Sequence, residues 1–181
     1  MTLLYWLGLS AIALAVFLVM EAVAWAAHKY IMHGWGWGWH KSHHEEREGA
    51  FEKNDLYAVV FSGLAIALFV VAGLGHPIVG AIATGITLYG AFYFIVHDGL
   101  VHQRWPFRAI PHRGYAKRLV QAHRLHHAVE GKDGCVSFGF LYAPPVDKLR
   151  SDLKRAGTVA SEQAERRRAA NPVDRAGATL H

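Results

Sequence analysis

Ten of the thirteen histidines in this 181-residue chain fall into four spaced clusters. They are His28 with His33, His40 with His43 and His44, His97 with His102, and His123 with His126 and His127. Residues i, i+3 and i+4 of an α-helix fall within an arc of about 100°, so each HxxHH triplet projects three imidazoles from one face. That triplet occurs twice, 83 residues apart. Residues i and i+5 lie about 140° apart on an ideal helix, so the two HxxxxH pairs do not easily chelate one ion. Such a pair either reaches two ions or sits where a helix ends and unwinds. Two sets of two plus three imidazoles suit two ions, because one ion takes about four to six ligands. The sole cysteine, Cys135, lies outside the clusters, which disfavours soft-metal sites and leaves iron, zinc, copper and nickel open. Imidazole ligands also need acceptors for their outward nitrogen. Glu45, Glu46, Asp55, Asp98, Glu130 and Asp133 lie beside the clusters and are the candidates. His76, His112 and His181 stand outside the pattern and read as bystanders.

The charges identify the elements that must carry these histidines. Residues 1–28 contain no Lys or Arg and one acid, Glu21, and residues 56–96 contain no charged side chain. A soluble domain spreads charge over its helix faces, so two such stretches point to lipid. Residues 3–27 form one span: 25 helical residues rise about 37 Å, enough for a ~30 Å hydrocarbon core. The stretch lacks the positive start of a cleaved signal peptide, so it is expected to be retained. Residues 56–74 and 77–96 form two more spans, joined by the turn signal Gly75-His76-Pro77. This antiparallel hairpin returns the chain to the face it left, which brings the two histidine half-sets together. All nineteen Lys and Arg then fall on that face, so the positive-inside rule makes it cytoplasmic. The net charge of +5 is therefore an orientation signal and not a nucleic-acid footprint. The expected fold is an all-α integral membrane protein of three to four transmembrane helices with a cytoplasmic histidine-rich helical cap. Residues 1–155 form the membrane domain and 156–181 a polar, flexible tail.

Other residues invite roles within that frame. Gly134–Val146 is too short to span and contains Pro144-Pro145, so a re-entrant or interfacial path is expected. Glu21 lies in an apolar span two turns before His28, and such residues usually face the bundle interior. It is expected to partner a ligand histidine or another helix. Gly63, Gly80, Gly85 and Gly90 allow close helix packing or leave a groove. Trp35, Trp37, Trp39 and Trp105 either line a substrate pocket or anchor the chain at the interface.

The stretches WGWGWHKSHHEEREGAFEKNDLYAVVF, YFIVHDGLVHQRWPFR and RLVQAHRLHHAVEGKDGCVSFGFLYAPPVDKL resemble the bacterial β-carotene hydroxylase family. That family belongs to the fatty acid hydroxylase superfamily of membrane di-iron oxygenases. The resemblance runs from about residue 20 to 153 and implies that the ten clustered histidines bind two non-haem iron ions. It further implies O₂-dependent hydroxylation of carotenoid β-rings at C3, from β-carotene through cryptoxanthin to zeaxanthin. Ketolated rings (canthaxanthin to astaxanthin) are further substrates it suggests. Electrons would come from a ferredoxin and NAD(P)H reductase system, the carotenoid from the bilayer, and the enzyme would lie in the inner membrane with its C-terminus cytoplasmic. The nearest rivals are other oxygenases of the superfamily, such as a carotenoid ketolase or a fatty-acyl or sterol oxidase. A metal transporter or storage protein is the non-enzymatic rival. Transporters place ligands near the bilayer midplane, whereas these histidines cluster at one side.

Overall fold

The computed structural model describes residues 2–47, 49–106 and 109–170, with side chains to residue 158. Among them every regular element is helical. Helix α1 (Leu3–Ala26) starts on Thr2, whose hydroxyl accepts the Tyr5 N–H, and continues directly into a π-helical segment, π1 (Ala27–Trp35). The short α2 (Trp37–His44) follows. Then comes the hairpin of α3 (Asp55–Gly73) and α4 (Pro77–Tyr93), and α4 runs on into a second π segment, π2 (Phe94–Val101). Helices α5 (Gly114–His126) and α6 (Val146–Ala170) complete the chain.

Three rods, Leu3–Trp35, Asp55–Gly73 and Pro77–Val101, are long and apolar enough to cross a membrane, with mean hydropathies of 2.4, 2.4 and 1.8. The protein is an all-helical membrane protein. Leu18 and Val70 are each 63% exposed on the outside of the bundle, which suits lipid and not water. The first and third rods extend past the expected ends at residues 27 and 96. Apolarity marks only the part of a helix immersed in hydrocarbon, and here the backbone ladder continues beyond it through both π segments.

Helix α4 packs against both α1 and α3. The tightest approach is at Gly85, where a Cβ would lie 2.5 Å from the Ala13 carbonyl oxygen and 2.7 Å from Val16 Cβ. A Cβ on Gly80 would meet Ala72 at 3.2 Å, whereas Gly63 and Gly90 have open space around them. Close packing is therefore the role of Gly85 and Gly80. The hairpin turns at Gly75, whose φ of +100° is a left-handed conformation that glycine adopts without strain.

Residues 134–145 form no helix and run as an irregular strip, with Gly134 and Ser137 at positive φ, against α1 and α5. Phe140 packs with Met20, Ala24 and Tyr89 of the membrane bundle, and Val136 and Ala143 pack with Ala122 and Leu149 of α5 and α6. This strip joins the two cores. Helix α6 continues to Ala170, across the boundary expected at residue 155, and His181 lies outside the described residues.

Candidate metal centre

The ten clustered histidines converge. One group is His28, His33, His40 and His126, and a second is His43, His102, His123 and His127, each with ligand atoms within 4.8 Å of one another. His97 joins the second group, with its Nε2 3.1 Å from that of His43. His44 lies beside the first, its ring centroid 5.0 Å from those of His40 and His126. Each group draws from the first rod or α2, and from the far half of the chain. The hairpin thus brings the half-sets together.

The π segments explain the five-residue spacing. His28 and His33 both lie in π1, and His97 begins its pair in π2, which ends at the cap residue His102. A π turn closes with i→i+5 hydrogen bonds, as between the His102 N–H and the His97 carbonyl, 2.9 Å apart. The wider turn brings residues five apart closer than the about 140° of an ideal α-helix allows, and the ring centroids lie 5.2 Å apart in His28/His33 and 4.5 Å apart in His97/His102. His28 and His33 accordingly enter the same group. Ideal α geometry misreads this spacing.

Outward bonds fix most of the rings. The Nδ1–H of His28 donates to the Phe138 carbonyl, that of His33 to Lys132, that of His44 to Val129 and that of His126 to Val136. His40 donates to Asn54 Oδ1 at 2.7 Å, His43 to Glu52 at 3.0 Å and His97 to Asp98 at 2.8 Å. Of the acids expected in this role, only Asp98 holds a histidine. Asp55 is engaged by Arg104 in a two-pronged pair at 2.7 and 2.8 Å, and Glu45 pairs with Lys41. Glu46, Glu130 and Asp133 make no hydrogen bond to a clustered histidine among the described residues. Glu52 and Asn54 carry no signal in the sequence pattern, since they lie outside helix α2 and share no spacing with it. The carbonyl acceptors carry no side-chain signature at all.

These bonds test whether a cation fits. A neutral imidazole carries one N–H, and here Nδ1 holds it, leaving Nε2 a bare lone pair. Burial keeps the rings neutral: it pushes His40 down to about 3, His44 and His102 to about 4, and His127 to about 2. His43, His123 and His126 are held well below the ordinary range, by burial first and then by neighbouring imidazoles. Yet Nε2 of His28 lies 3.0 Å from Nε2 of His40, and the His33–His126 and His43–His97 pairs are at 3.1 Å. Two lone pairs at that distance repel and form no hydrogen bond. Nitrogens bound about 2.1 Å from one ion, at right angles, would stand about 3.0 Å apart. The donor set therefore fits divalent metal ions, and His44 Nε2, buried without a partner, fits the same need.

An apolar cavity of about 530 Å³ approaches this centre between α1, α3 and α4. It runs from Ile66 and Phe69 in mid-membrane to Tyr93, Asp98 and Phe140. Phe140 stacks on His28 with centroids 4.9 Å apart, and Tyr93 stacks on His97 at 4.6 Å. One layer of aromatic rings separates cavity from histidines. None of the four tryptophans lines the cavity. Trp35 is 84% exposed, Trp37 leans on His33 and His44, Trp39 packs on Tyr57, and Trp105 lies under Gly99. Glu21 reaches no histidine; it accepts from Tyr89 of α4 and from the backbone of the 134–145 strip. His76 and His112 are exposed and apart from the cluster.

The fatty acid hydroxylase family matches this chain over residues 13–150. A protein named beta-carotene hydroxylase from Paracoccus sp. (strain N81106 / MBIC 01143) is 62% identical over 86% of this chain and 96% of its own length. Another of that name from Pantoea ananas is 58% identical over 87% of this chain and 93% of its own. Beta-carotene 3-hydroxylase 1 of Arabidopsis thaliana chloroplasts is 38% identical over 76% of this chain and 45% of its own length. No solved structure matches.

Proposed function

Since the chain belongs to the fatty acid hydroxylase family, we propose that it hydroxylates carotenoid β-rings at C3, using O₂ and two histidine-held iron ions. The observation that carries this reading is the apolar cavity ending one aromatic layer from ten converging imidazoles. The names of the Paracoccus and Pantoea relatives supply the substrate class. The ten histidines, His28, His33, His40, His43, His44, His97, His102, His123, His126 and His127, are the ligands in this proposal.

Bound iron would supply the O₂ activation that removal of hydrogen from an unactivated C–H bond requires. The protein's own groups do the rest. Outward acceptors hold each Nδ1–H and so aim Nε2 inward. The aliphatic and aromatic walls of the cavity admit a polyene from the bilayer, exclude water and bring one ring against Phe140 and Tyr93. No acid–base side chain is needed at the ring. We assign the centre and the C-terminus to the cytoplasmic face of the inner membrane on the sorting of Lys and Arg. There a ferredoxin-type donor has access. We assign residues 1–155 to the membrane domain and 156–181 to the polar tail, with α6 running across that boundary.

Cells that make β-carotene and express this chain should accumulate cryptoxanthin and zeaxanthin, and the reduced purified protein should form them only with O₂ and about two iron ions per chain. Accumulation of ketones alone would favour a ketolase. Tight zinc with no O₂-dependent product would favour storage or transport.

A further inference from the structure

Glu21 is an acidic side chain inside a membrane-spanning helix, and its four hydrogen bonds among the described residues come from neutral donors. Its Oε2 accepts the Tyr89 hydroxyl at 2.7 Å and the Leu141 N–H at 3.0 Å. Its Oε1 accepts the Phe140 N–H at 3.0 Å and the Tyr142 N–H at 2.9 Å. Three consecutive backbone donors thus close on one side chain, and a fourth comes from the neighbouring helix. The fit is tight: a Cβ on Gly139 would lie 2.7 Å from Oε1.

The donors belong to the partition between cavity and metal centre. Phe140 and Tyr89 both line the cavity. Phe140 also stacks on His28, and two residues earlier the Phe138 carbonyl accepts His28 Nδ1–H at 2.9 Å. The strip has no helical ladder of its own to fix its register. Glu21 stands seven residues before His28 on the same rod, so it ties that register to a ligand helix.

We propose that Glu21 is a positioning residue: it sets the register of residues 138–142 across the inner end of the cavity and thereby selects which ring carbon meets the metal centre. This rests on the carotenoid reading above and deepens it, from substrate class to site of attack. Displacing a reacting atom by about 1 Å costs on the order of a hundredfold in rate, so a small slip of Phe140 changes the product. Glu21→Gln keeps the size but replaces one acceptor with a donor facing donors. Gly139→Ala disturbs the same junction while leaving the carboxylate in place.

The test uses the full-length protein in nanodiscs. Amide exchange at residues 140–142 of the metal-free form should rise about tenfold in Glu21→Gln, as lost hydrogen bonds open the strip. Both variants should retain iron at the wild-type level, yet divert product from C3 to a neighbouring ring position and lower kcat/KM about tenfold. Unchanged exchange with an unchanged product ratio overturns the proposal. So does loss of iron in step with activity at a constant product ratio, which would make Glu21 a support for His28 only. If Glu21→Gln does not fold, Gly139→Ala decides between the same outcomes. Wild-type protein that yields no C3 product contradicts the carotenoid reading, while the exchange measurement still judges the Glu21 strut.

Discussion

At the scale of single residues, the centre is defined by what each imidazole does with its two nitrogens. Nδ1 is committed outward on seven of the ten rings, so Nε2 faces inward bare. Replacing His126 or His43 by Ala should abolish product formation and reduce bound iron, while His76→Ala should leave both unchanged; metal analysis beside product chromatography checks this. Asn54→Ala and Glu52→Ala remove only outward acceptors. They should weaken iron binding by about 10–100-fold with the ligand set intact, measured by competition with a chelator. The convergence of these histidines was legible from type and spacing. Their acceptors mostly were not, because backbone carbonyls at Lys132, Val136 and Phe138 leave no mark in a side-chain pattern.

At the scale of elements, the π segments carry the finding that ideal helix geometry could not supply. The apolar runs and the Gly75-His76-Pro77 turn located three rods, but the path of each rod past the hydrocarbon depends on backbone hydrogen bonding. Deleting Ile31 would convert the five-residue spacing of His28 and His33 to four and favour an ordinary α ladder. Circular dichroism should then show helix content retained while iron per chain falls, since the α2 histidines are rotated out of register. Helix contact makes its own prediction. Gly85→Val drives a side chain into the Ala13 carbonyl and Val16, and overpacking of this kind costs about 1–3 kcal/mol. Thermal unfolding in detergent should show it, with Gly63→Ala, in open space, as the silent comparison. The 134–146 segment, expected to follow a re-entrant or interfacial path, is a non-helical strip pinned by Glu21. Nothing in its composition announced a partner more than a hundred residues away.

At the scale of the whole molecule, two halves of the chain meet in the membrane where α1 packs on α4, and at its edge through the histidines, the 134–145 strip and the Arg104–Asp55 pair. Removing metal leaves buried lone pairs opposed at about 3 Å, so the cap should loosen before the membrane rods do. Limited proteolysis of chelator-treated protein should cut within residues 45–53 or 128–137, and iron should restore protection. Charge sorting made the two-sided plan legible, whereas the cavity was not, because it arises from three rods packing around a gap that no single segment encodes. That cavity has one inner end. Under the proposed function the substrate carries a ring at each of its two ends, and the cavity would present one of them to the centre in a visit. The half-finished molecule would then withdraw into the bilayer and turn over, carrying its new hydroxyl through the hydrocarbon, before its other ring could enter. Membrane fluidity thus becomes a determinant of product composition, and stiffening the lipid should enrich the singly hydroxylated form without any change in the protein.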